Sequence, residues 1–200
     1  MHIRLFTFLA FFLICFHSFS QNFEGGLIFG LAASQVSGDN LAGFNKPGII
    51  AGGYTNTPIG KKFLLQFELK FIQKGSWAKN GNLSNYKLNL NYIDGPLLIK
   101  YPYKKFMLQA GLSIGALFSY TEKTMYGKVN DVRDFNRIEL SSIFGVDYSL
   151  TDKLIIDIKY NNSILPIREH INGNTYRWNL GQYNTLIEFG LHYRFKKLKG

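Results

Sequence analysis

The sequence predicts an all-β fold: an eight-stranded antiparallel up-and-down transmembrane β-barrel, preceded by a cleaved signal peptide. Three observations predict it. Apolar and polar residues alternate with period two in segment after segment. Long and short connections between those segments alternate strictly. The apolar stripes hold far more large side chains than the narrow interior of eight strands accepts.

Residues 1–20, MHIRLFTFLAFFLICFHSFS, stand apart as a signal peptide. Arg4 gives a basic start, Leu5 to Phe16 an apolar run, and Ser18 and Ser20 the small residues before a cut. The run of about 12 residues is too short for a membrane-spanning helix, which needs roughly 20. Cys15 is the only cysteine and goes with this peptide. A lipoprotein signal would want a small residue before it, where Ile14 stands. The barrel domain, 21–195, is then free of disulfides and thiol chemistry. A short basic tail, 196–200, follows and is expected in the periplasm.

Strand-like segments recur near 25–36, 47–57, 62–74, 86–101, 105–120, 137–150, 153–165 and 182–195. PIGK (58–61), PYKK (102–105) and TDK (151–153) join some of them by tight turns. The other links are long: 37–46, 75–85, 121–136 and 166–181. An antiparallel meander with one end in the periplasm and one outside the cell has this asymmetry.

The last segment sets the orientation. Tyr183, Thr185, Ile187, Phe189, Leu191, Tyr193 and Phe195 form one face, and Asn184, Leu186, Glu188, Gly190, His192 and Arg194 the other. Similar stripes run through 63–71, 106–120, 138–150 and 154–160. Faces this apolar are tolerated outside a barrel only in lipid. Tyr101, Tyr148, Tyr193 and Phe195 are expected in one aromatic girdle, Tyr86, Tyr120, Tyr160 and Tyr183 in the other. Segment 47–57 has no clearly apolar face, so its orientation is open. In 86–101 the stripe begins on Tyr86, Leu88, Leu90 and Tyr92 and reappears on Leu97, Ile99 and Tyr101. That slip near Asp94-Gly95-Pro96 suggests a bulge, where proline is tolerated.

The chain resembles the PorT-like outer-membrane β-barrel proteins, related in architecture to the small OmpX and OmpA-type barrels. The resemblance is carried by GLIFGLAASQVSG, LLQFELKFIQKGS, LNYIDGPLLIKY, FMLQAGLSIGALFSY, IELSSIFGVDYSL and IEFGLHYRF. Its most specific pieces are QKGS and the stretch from Tyr92 through Pro96-Leu97-Leu98-Ile99-Lys100-Tyr101. It implies an integral protein of the bacterial outer membrane with no catalytic residues, cofactor or metal. Its named member is associated with protein secretion across that membrane.

Two residue groups are candidate sites. Glu68, Lys70, Glu139, Asp147, Asp157, Lys159, Glu188 and Arg194 fall on the lumen face and read as a structural polar network, since buried charges must be paired. Tyr126, Arg133, Phe135, Arg168, His170, Tyr176, Arg177 and Trp178 fall in the last two long loops. Aromatics mixed with arginine fit a recognition surface, and equally strand ends rising above the membrane.

The net charge of +10 raises the question of nucleic acid. The short turns and tail answer it, because Lys61, Lys62, Lys104, Lys105, Lys153, Lys196, Lys197 and Lys199 face only Asp152 at one rim. Lipid head groups account for such a rim. At the other end Lys74, Lys79, Arg133, Arg137, Arg168 and Arg177 are candidates for the anionic outer leaflet. The expected partners are thus outer-membrane lipids and another envelope or secretion protein, not nucleic acid. A non-enzymatic envelope component or assembly partner, acting through its loops or periplasmic rim, is the preferred reading. The alternatives are a rim-located lipid-modifying hydrolase or acyltransferase, with His170 as base and Ser163 and Asp134 as companions, and a small diffusive pore.

Overall fold

The structure is a computed structural model and describes residues 23–39, 41, 43–80, 84–124, 126–128, 134–169 and 181–195. The expected signal peptide and basic tail lie outside the described residues. Eight long strands form one sheet: β1 (Glu24–Ser37), β2 (Lys46–Ile59), β3 (Phe63–Asn80), β4 (Ser84–Tyr103), β5 (Phe106–Thr124), β7 (Ile138–Ser149), β8 (Leu154–Ser163) and β9 (Tyr183–Arg194). A two-residue strand, β6 (Gly127–Lys128), adds to the far end of β5. Each long strand pairs antiparallel with its sequence neighbour, and β9 pairs with β1, so the sheet closes without an edge. Closure pairs each long strand along both of its sides, which is how strands satisfy their backbone polar groups in lipid.

Local chemistry sets the joints. Gly60 turns the chain between β2 and β3 at φ +61°, and Lys104 between β4 and β5 at φ +59°, both in the left-handed region. The three short connections and both ends of the barrel chain meet at one rim. The walls are unequal: β3, β4 and β5 run 18, 20 and 19 residues, whereas β7, β8 and β9 run 12, 10 and 12.

The outward faces are apolar around the waist, with Leu31, Ile114, Ile138 and Phe144 each about 60 % exposed. That fits lipid and nothing aqueous. At the short-turn rim the girdle forms as expected: Phe63 packs on Tyr101, Phe106 on Tyr148 and Tyr193 on Phe195. Of the four tyrosines expected at the other end, Tyr160 stands exposed on the outer wall and Tyr120 is exposed at the rim. Tyr183 is buried, Tyr120 packs against Phe135 at the mouth, and the Tyr86 hydroxyl turns inward to Glu122.

The orientation of 47–57 resolves, with Gly48, Ile50, Gly52, Tyr54 and Asn56 facing inward. The expected bulge at Asp94-Gly95-Pro96 is absent. Alternation in β4 runs unbroken from Leu88 to Lys100, even residues inward. Pro96 merely interrupts the β3 ladder, which resumes in the same register at Lys70–Asp94. The bulge lies in β5, where Phe118 is extra between Leu117–Tyr92 and Ser119–Asn91. Leu88, Leu90 and Tyr92 therefore point into the barrel, not at lipid, and Ser119 points outward. The cause is height: where the tall wall leaves the hydrocarbon, its outward face meets polar surroundings and its apolar residues turn inward.

Candidate functional site

The interior is the chemically distinctive region. Its lower and middle levels hold a continuous ionic network. Glu68 on β3 accepts from Lys159 on β8 at 2.6 Å and from Gln66 at 2.6 Å, and Lys70 lies 3.3 Å away. Lys70 also pairs with Glu188 on β9, whose other oxygen takes the Asn161 amide at 3.0 Å. Lys159 holds Asp157 at 2.8 Å, and His192 lies 3.4 Å from the same carboxylate. Lys100 donates to Asp147 at 2.6 Å, as does Gln109 at 2.6 Å.

A second cluster sits above. Lys74 reaches Asp94 at 2.9 Å and Glu139 at 3.1 Å, with its ammonium 4.7 Å from the Tyr92 ring centroid. Glu139 also accepts from Ser163 at 2.5 Å and from Asn184 at 3.1 Å. Lys74 was a candidate for the outer leaflet from sequence; it is instead fully buried. Glu68, Lys70, Glu139, Asp147, Asp157, Lys159 and Glu188 thus all lie inside, as the alternation placed them. Arg194 does not join them: it pairs with Glu24 at 3.6 Å at the short-turn rim, partly exposed.

Above these ions an apolar cluster of Ile50, Ile72, Leu88, Leu90, Leu117, Phe135, Ile167 and Leu186 fills the barrel. A polar clamp caps it. The chain after β8 folds back over the opening, with Ile167 bonded to Gln182 at 2.7 Å and Asn136 to Ile167 at 2.7 Å. That places Arg168 inside, forked onto Glu122 at 2.8 and 3.1 Å, bonded to Gln182 at 2.6 Å, and 4.4 Å from the Phe135 ring centroid. Burial alone would lower the Arg168 guanidinium, but the Glu122 carboxylate outweighs it and holds the group above its usual value. Asp39 lies nearby, its carboxyl accepting from the Leu41 N–H at 2.9 Å and pushed up by burial.

The expected loop recognition surface is accordingly only partly described. Tyr126 is 89 % exposed, whereas Phe135 and Arg168 are buried in the clamp, because the return of the chain over the mouth turns them inward. Arg133, His170, Tyr176, Arg177 and Trp178 lie outside the described residues. Sequence reading missed Glu122, Tyr86 and Gln182. The signal was present: acid, phenol and amide all lie near strand ends, where nothing apolar competes for an arginine. The conceivable companions of His170 do not meet. Ser163 donates to Glu139 inside the barrel, and Asp134 takes the Tyr120 hydroxyl at 3.1 Å outside it. Among the described residues no group of histidine, cysteine, aspartate and glutamate could hold a metal ion.

Residues 19–169 match the family described as outer membrane protein beta-barrel domain. Among solved structures the chain is similar to Ail, the attachment invasion locus protein of Yersinia pestis, in complex with the heparin analogue sucrose octasulfate. The TM-score is 0.55 at 14 % identity, over 87 % of this chain and 99 % of that one. It is also similar to the Neisserial surface protein A, with a TM-score of 0.53 at 11 % identity, over 86 % and 97 % of the two chains. Identities this low speak to the fold alone. No curated protein matches the sequence.

Proposed function

The chain belongs to the outer membrane protein beta-barrel domain family, and from that premise we propose that it works as a closed, non-enzymatic barrel. It serves as an envelope component, or as a partner in a secretion or surface assembly, engaged through its outer loops or its periplasmic rim. The observation that carries this reading is the Lys159–Glu68 bridge. Strands β8 and β3 stand four places apart in a ring of eight, so one ion pair links opposite walls. A lumen crossed in this way leaves no path for solutes, and the Arg168–Glu122 clamp closes its outer mouth a second time. Eight strands leave an interior only wide enough for side chains. The secretion part of the reading draws on the resemblance to PorT-like proteins.

The test has two arms. Purified protein in planar bilayers is expected to give no stepwise conductance; regular openings would sink the closed-barrel reading. Gentle extraction of a tagged copy from native outer membranes is expected to retain an envelope protein in fixed stoichiometry. Recovery of a lone barrel that turns over lipid A or phospholipid would overturn the non-enzymatic role.

A further inference from the structure

The outward face of the tall wall changes character rung by rung. The rung Phe71–Ile93 is apolar. On the next, Gln73, Asn91 and Ser119 bond side chain to side chain across β3, β4 and β5 at 3.2 and 2.9 Å. The next is Gly75–Asn89–Thr121. The fourth reads Trp77–Lys87–Lys123–Lys128, each residue the direct partner of the one before it, across β3, β4, β5 and β6.

Three lysines in a row on adjacent strands are an unfavourable arrangement by themselves. Directly opposed side chains stand about 5 Å apart, and like charges there destabilise the ladder. All three are exposed, and among the described residues no carboxylate pairs with any of them. The Lys87 ammonium lies 5.8 Å from the Trp77 ring centroid, so an aromatic closes one end of the row. The row is on the flank of the barrel, not at its mouth, and therefore faces sideways into the leaflet. It lies six residues beyond the last apolar rung, about 15 Å higher at roughly 3.3 Å per residue and 40° of tilt. An ordinary phospholipid head-group layer is only about 6–7 Å thick. A sugar head group bearing phosphates reaches the row; a simple phospholipid does not.

We propose that Lys87, Lys123 and Lys128, with Trp77 beside them, form a docking row for the phosphorylated sugar head group of an outer-leaflet glycolipid. The inference depends on the outer-membrane location and not on the proposed assembly role. It replaces Lys74 and Arg168, which the structure buries, with residues that stand on the outer wall.

The test uses the barrel refolded into vesicles of uncharged phospholipid, with lipopolysaccharide added as the probe. Fluorescence of Trp77 reports binding, in a Trp178→Phe background. The expected result is saturable binding that weakens at least tenfold when the probe is dephosphorylated. It should weaken as much in the combined variant Lys87→Gln, Lys123→Gln, Lys128→Gln. A control, Lys61→Gln, Lys62→Gln, Lys153→Gln, removes the same charge at the opposite rim and should bind as the parent does. If the combined variant does not fold, Lys123→Gln alone, at the centre of the row, should still weaken binding several-fold. Binding unchanged in the row variants, or indifferent to dephosphorylation, overturns the proposal. So does a soluble sulfated polysaccharide that binds the same row as tightly as the glycolipid, which would make the partner a soluble polyanion.

Discussion

Gly30 of β1 and Gly190 of β9 stand directly opposite one another in the seam that closes the barrel. Neither position has room for a side chain. A Cβ on Gly30 would meet the Phe189 carbonyl oxygen at 2.4 Å, and one on Gly190 would meet the Asp157 carboxylate at 1.9 Å. Asp157 leans over that glycine to reach Lys159.

Alanine at either glycine is therefore expected to lower the fraction of barrel that migrates as the compact, unboiled form on gels. Overpacking of this kind costs about 1–3 kcal/mol. Gly30→Ala should be the worse of the two, because a backbone carbonyl cannot swing aside as a carboxylate can. Equal behaviour of Gly30→Ala and the parent in urea-dependent refolding would refute the close seam.

Lys70 and Glu188 are both fully buried and share one salt bridge. Glu188→Leu leaves the buried Lys70 ammonium only Glu68, 3.3 Å away and already shared with Lys159, and should cost roughly 3–5 kcal/mol of folding free energy. Adding Lys70→Met removes the stranded charge as well and should restore much of the loss. A double variant as unstable as the single one would mean that Glu68 depends on Lys70 as well as on Lys159 and Gln66.

Arg168→Ala removes the hub of the outer clamp and leaves Glu122 without its main partner. Hydrogen exchange is expected to rise in residues 164–168 and in Gln182, with the β1–β9 seam unchanged. Conductance should stay at the parental level, because the Lys74 and Lys159 bridges still cross the interior. A clean pore in this variant would assign the closure to the clamp alone.

Asp39 supplies a pH signature. Burial raises its carboxyl above the usual value, so the folded protein binds the proton more tightly than the unfolded chain does. Stability from this group is present below the unfolded value of about 3.9 and declines as pH rises through the higher folded value. Asp39→Asn should consequently match the parent at low pH and exceed it at neutral pH. Thermal unfolding across that range measures the crossover, and a parent more stable than the variant at pH 7 would contradict it.

The β-barrel, its closure and the inward set of charges were legible because period-two patterning is strong wherever one face meets lipid. The same rule misled where that condition ended. Leu88, Leu90 and Tyr92 look like a lipid stripe, yet at their height the outer neighbours are Asn89 and Asn91, and the solvent preference of the wall is reversed. A slipped stripe in one strand has the same appearance whether the backbone bulges or the surroundings change. Lys123 and Lys128 were hidden differently: they read as loop charges, and only cross-strand register aligns them with Lys87. Arg168 was legible as a chemical group but not as a buried one, since its burial depends on how the chain returns over the mouth.

The difference in wall height gives the molecule a front and a back. Strands of 18–20 residues rise on one side and strands of 10–12 on the other. The rim traced by the described strands is cut on a slant, and a neighbour gliding within the bilayer meets a parapet of strand from one bearing and a low sill of strand from the opposite one. Such a body is not rotationally equivalent in the membrane plane. Contacts that the described strands make above the lipid favour one compass direction, so the azimuth of the barrel, and not only its depth, decides which molecules those strands stand beside.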